Sequence, residues 1–122
     1  MPDKLMIVMV NTDPSNASEM GAPFFQATVA AAMDYEVEVI MTGRAGELAK
    51  KGFAEKLLAH EGNSKTIYDF IQEAYDAGAV FKVCTPTLEI WGDDLIPEIS
   101  ETVGAAYIIS EAMSGNVVTF TY

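Results

Sequence analysis

The chain has 122 residues, half of them apolar and about a fifth charged, a size and balance that fit one globular domain with a core of its own. Its 18 acidic and 7 basic residues leave a net charge of −11. A field of that sign argues against nucleic acid and anionic lipid as partners, because phosphate binding depends on Lys and Arg.

Leu5–Val10 is continuously apolar, too short for a signal-peptide core or a membrane span, and reads as a strand buried on both faces of a parallel sheet. No later run reaches spanning length. One cysteine cannot close an internal disulfide, and Cys84 with His60 cannot supply a structural zinc site. A cytoplasmic protein without a structural zinc site is the expectation.

Residues 11–21 are polar and turn-rich, with Pro14, Ser15, Asn16 and Ser18. Ala22–Met33 turns helical: Phe24, Thr28 and Ala32 step by four, with Phe25 and Val29 beside them. Val37, Val39, Ile40 and Met41 make a second strand, ended by Thr42-Gly43. Arg44–Lys51 and Phe53–His60 read as helices parted at Gly52, before a loop at Glu61-Gly62-Asn63. Ser64 is the expected cap of a helix over Lys65–Asp76, whose Ile67, Phe70, Ile71 and Ala74 share a face and which Gly78 stops.

A strand then enters Cys84, and Thr85-Pro86 opens an apolar helix running to Trp91. After the Gly92-Asp93-Asp94 turn, either Asp is placed to cap a short helix through Pro97 and Ile99. Glu101–Gly104 reads as a brief strand. Ala105–Met113 reads as a helix with Ala105, Ile108, Ile109 and Ala112 on one side, and Val117–Tyr122 as a last strand. Methionines, Met6, Met9 and Met33 foremost, are expected to fill the core. The alternation predicts one three-layer α/β/α domain with a mostly parallel sheet of about five strands.

Familiar sites are missing. Asn11-Thr12-Asp13-Pro14 after the first strand is not a dinucleotide loop, and Gly43-Arg44-Ala45-Gly46 lacks the Lys-Ser/Thr ending of a phosphate loop. Neighbouring Asp93 and Asp94 point apart on a turn, and His60 reads as a solvated helix-end histidine. Cys84 remains. At a strand end and a helix start it sits at the carboxyl edge of a parallel sheet, where open α/β folds place ligands. Backbone amides there favour thiolate, the nucleophilic form, as would Lys82, which shares its side of the strand. Thr85 is placed to hold an anionic sulfur adduct. Asn11, Thr12, Thr42 and Gly43 end strands at the same edge and are expected to line its rim. Trp91 and Tyr107 read either as core residues or as walls of a pocket around the thiol. The structural alternative for Cys84 is a small buried hydrophobe.

The chain resembles the DsrE/DsrF-like sulfur-relay family, which includes the TusD-type sulfurtransferase subunits. The resemblance rests on Leu5–Val10 with Asn11-Thr12, Phe24-Phe25, Thr42-Gly43, Glu47–Gly52, Val83-Cys84, Val103-Gly104-Ala105-Ala106 and Val117–Phe120. It implies a doubly wound subunit that assembles into dimers, trimers or hexamers and uses no metal or organic cofactor. It also implies that Cys84 accepts sulfane sulfur or thiosulfate and passes it on. Partners would be a small TusA-like carrier or another thiol protein, and heterodisulfide-reductase-like machinery. A homo-oligomer is expected on composition too, since surplus apolar surface is best covered between subunits. Two rivals stand beside sulfur transfer: a non-catalytic oligomeric binding or scaffold protein with an inert cysteine, and a one-cysteine peroxide reductase, for which no motif supplies the activating base.

Overall fold

In the computed structural model, which describes residues 3–16, 19–58 and 65–122, five parallel strands form one sheet in the order β4-β3-β2-β1-β5. The strands are β1 (Lys4–Met9), β2 (Glu36–Met41), β3 (Val80–Cys84), β4 (Ile99–Val103) and β5 (Val117–Thr121). The helices are α1 (Gly21–Ala32), α2 (Ile67–Ala77), α3 (Thr85–Trp91) and α4 (Ala105–Ala112), and the expected α/β architecture is present.

Side-chain alternation along the strands divides the residues between two faces. Ile7 and Met9 of β1, Val37, Val39 and Met41 of β2, and Phe81 and Val83 of β3 join Phe24 and Ala27 of α1 and Ile71 and Ala74 of α2 in the main core. Met6, Val8, Ile40 and Val103 form a much smaller cluster on the opposite face, against Tyr107, Ile108 and Ala112 of α4. Between β3 and β4 the register shifts by one residue after Phe81, a bulge at Ser100, whose hydroxyl donates to the Phe81 carbonyl at 3.1 Å.

Several local expectations are corrected. The 43–58 stretch is not a pair of α-helices: Gly43–Ala49 and Ala54–Lys56 are short 3₁₀ segments, and Leu58 pairs with Thr66 in an antiparallel bridge. Thr66, not Ser64, caps α2, through a capping box in which Thr66 and Asp69 satisfy each other's backbone N–H groups. No helix runs through Pro97: Leu95 bridges Lys50 antiparallel, Ile96 donates its N–H to Ala49 and is buried, and β4 starts at Ile99. In α1 the buried side is Pro23, Phe24, Ala27 and Ala31, while Phe25 and Val29 face solvent; Met33 is exposed too, unlike Met6 and Met9. In α4 no residue is fully buried, and Ile109 is 62% exposed. Ser18, Ser64, His60 and the Glu61-Gly62-Asn63 loop lie outside the described residues. Among those described, no helix is long and apolar enough to cross a membrane.

Candidate functional site

Parallel strands deliver their carboxyl ends to one edge. The loops after β1, β2 and β3, three adjacent strands, therefore bring Asn11 and Thr12, Thr42 and Gly43, and Cys84 and Thr85 to the same rim. Asn11 is exposed and donates its N–H to the Tyr122 carbonyl, and Thr12 is buried. Thr42 donates its N–H to Met9. Gly43 takes a left-handed φ of +55°, and a Cβ there would meet the Val10 carbonyl oxygen at 2.8 Å, so only glycine fits this approach.

Cys84 ends β3 and occupies the N-cap position of α3, with Pro86 in the first helical turn. It is 7% exposed and belongs to neither apolar cluster. Thr85 is exposed and donates its hydroxyl to the Val103 carbonyl at 3.2 Å. Val103 is the direct cross-strand partner of Cys84. The thiol thus lies on the α4 face of the sheet, as Lys82 does.

That face carries a feature the apolar reading of the strands missed. Lys4, Glu38, Lys82 and Glu101, from four adjacent strands, form a line of alternating sign beneath α4. Lys4 pairs with Glu38, with Glu111 of α4 and, at 3.3 Å, with Glu36. Lys82 lies 2.8 Å from Glu101 and 3.4 Å from Glu38. Lys82 also donates to the Tyr107 hydroxyl at 2.9 Å, which donates to Glu38 at 2.7 Å. Tyr107 is therefore a member of this network. Burial opposes the charge on each lysine, but hydrogen bonds to Glu111 and Glu38 for Lys4, and to Glu101 and Tyr107 for Lys82, outweigh it and raise both above the ordinary value. Burial likewise opposes ionisation of Glu38, yet bonds from Lys4 and Tyr107 and the lysine charges hold it below the carboxylate norm. The charge of Lys82 is compensated by its acidic partners.

The same edge holds a cavity of about 390 Å³ on the other side of the sheet. Its walls include Phe53, Leu57 and Trp91, and its rim Asp13, Arg44 and Glu47. The Trp91 indole N–H donates to the Gly43 carbonyl at 3.0 Å, which fixes the ring. Gly46 lets the 43–49 segment lie flush on α3: a Cβ there would sit 2.4 Å from Thr87 Cγ2 and 3.0 Å from Trp91 Cδ1. Trp91 lines this cavity, whereas Cys84, Asn11, Thr12, Thr42, Gly43 and Thr85 do not. The available signal for the cavity was two opposite charges three apart, Arg44 and Glu47; only the fold brings Trp91 to them. Among the described residues no cluster of three or more His, Cys, Asp or Glu is arranged to hold a metal.

No family model matches the chain, and no curated protein matches it. Solved structures do. The ychN protein from E. coli superposes at a TM-score of 0.75 with 12% identity, covering 100% of both chains. A conserved protein of unknown function, BT1422 from Bacteroides thetaiotaomicron, superposes at 0.68 with 13% identity, covering 98% of this chain and 95% of that one. At such identity the likeness establishes a shared DsrE-like fold and nothing finer.

Proposed function

We propose that the protein is a sulfur carrier that holds sulfane sulfur on Cys84 and yields it to an acceptor thiol. The observation that carries this reading is the position of the chain's one thiol, at the carboxyl end of an interior strand and the N-cap of α3 in a DsrE-like fold. The Cys84 thiolate attacks the outer sulfur of a donor persulfide. A Cys84–S–S⁻ persulfide forms as the donor S–S bond breaks, and the donor leaves as thiolate. With thiosulfate as donor the leaving group is sulfite. An acceptor thiolate then attacks the outer sulfur and restores the Cys84 thiolate, so no electrons enter or leave the cycle. Thr85, with Asn11, Thr12, Thr42 and Gly43 along the rim, would supply polar contacts to the bound anion. The acceptor is a small TusA-like carrier or another thiol protein.

Intact mass after incubation with tetrathionate or polysulfide tests this. An adduct on the native protein, absent in Cys84→Ser and removed by a thiol acceptor, is expected. The second reading, a binding or scaffold protein with an inert cysteine, is favoured by the 7% exposure of Cys84. It prevails if the thiol alkylates only on unfolding and takes up no sulfur.

Self-association is part of the proposal. Its support is a groove of about 530 Å³ between α1 and β5, lined by Phe25, Val29, Met33, Tyr35, Val118 and Phe120 with no carboxylate in it. β5 is moreover a sheet edge. Light scattering is expected to give a homo-oligomer, and Phe25→Glu to give monomers.

A further inference from the structure

We propose that the cavity at the carboxyl edge binds a small zwitterion with an apolar side chain, an α-amino acid of the phenylalanine or leucine kind. Arg44 and Glu47 are three residues apart on a 3₁₀ segment, where side chains at that spacing eclipse. They stand together on one face, and both line the cavity. They are not paired with each other. Among the described residues Arg44 reaches only Asp13, at 3.4 Å, and it keeps 63% of its side chain exposed. Among the described residues Glu47 makes no ion pair. Asp13 is in turn held in place by the Ser15 N–H at 2.9 Å and the Ser15 hydroxyl at 2.7 Å.

The rim therefore presents a guanidinium with open donors beside an unpaired carboxylate. Below them lie the fixed Trp91 ring, Phe53 and Leu57. This is the complement of a carboxylate, an ammonium and an apolar side chain on one small frame. An apolar monoanion would leave Glu47 without a partner, and an apolar amine would leave Arg44 with Asp13 alone, at 3.4 Å. A ligand bearing both charges engages both groups at once. The volume suits a single amino acid with room for water. Four of the seven basic residues, Arg44, Lys50, Lys51 and Lys56, fall between positions 44 and 56. They offset locally the negative field that the net charge imposes elsewhere. The proposal is independent of Cys84, which does not line the cavity.

Trp91 is the chain's only tryptophan and lies in the wall, so its emission reports occupancy directly. The test titrates the full chain with L-phenylalanine, 3-phenylpropanoate and phenethylamine, exciting at the red edge, where tyrosine does not contribute. L-Phenylalanine is expected to give a saturable change. Each analogue, lacking one charged group, should bind roughly tenfold or more weakly. Arg44→Gln should reduce phenylalanine to the affinity of phenethylamine, and Glu47→Gln to that of 3-phenylpropanoate. The proposal is overturned if phenylalanine gives no saturable change by about 10 mM, if either analogue binds as well, or if neither variant alters its affinity. The ligand series on the unaltered protein decides the matter without any variant.

Discussion

The two faces of the sheet are built from alternate residues of the same strands, yet they differ in kind. Toward α1 and α2 every inward position from β1 to β3 is apolar, and the helices bury whole side chains such as Phe24, Ile71 and Ala74. Toward α4 the apolar cluster is small, and a line of lysines and glutamates crosses the strands beside it. The first face is held by removal of apolar surface from water, which requires no group to stay ionised. The second is held in large part by ions that are stable only while all are charged. A buried pair adds little over an apolar substitute, but removing one member strands the other.

The difference can be broken at either face. The largest effect is expected from Phe81→Ala, in the α1–α2 core, at about 3–5 kcal/mol by urea denaturation. Glu38→Gln leaves Lys4 and Lys82 short of a buried counter-charge and is expected to cost about 3 kcal/mol. A loss below about 1 kcal/mol would mark the line as solvated surface instead. The third expectation is in pH. The folded Glu38 carboxyl lies below its ordinary 4.5, so its contribution is present above that value and lost as pH falls through the folded one. Lys4 and Lys82 lie above their ordinary 10.5, so theirs is complete below 10.5 and lost as pH rises through the folded value. Denaturation midpoints should be level between, with an acid decline that Glu38→Gln flattens. The smallest effect is expected at Ile109 on the outer side of α4, where Ile109→Ser should change stability by no more than about 0.5 kcal/mol.

The strands were legible because β1, β2 and β3 are short apolar runs between turn residues, and α2 because Ile67, Phe70, Ile71 and Ala74 repeat at helical spacing. Which face each strand residue takes was less plain. Lys4, Glu38 and Lys82 read as polar exceptions, and only the parallel register brings them together. The outward turn of Phe25 and Val29 was hidden because α1 is apolar nearly all round, so periodicity selects no side. The 43–58 region has helix formers but also Gly46 and Gly52, and its path is decided by contacts with α3 and Leu95. For the site, the gathering of Asn11, Thr12, Thr42, Gly43, Cys84 and Thr85 at one edge followed from parallel strands alone. The cavity walled by Trp91 did not, since its sides come from three stretches far apart in sequence: residues 13–15, residues 44–57 and the end of α3.

Gly46 gives that cavity an adjustable dimension. Thr87, which a methyl at position 46 would strike first, is buried and donates its hydroxyl to the Met41 carbonyl at 3.4 Å, so it has little room to retreat. One added carbon would act as a wedge in the seam between the 3₁₀ segment and α3, resetting the aperture between Arg44 and the indole while every lining side chain stayed the same.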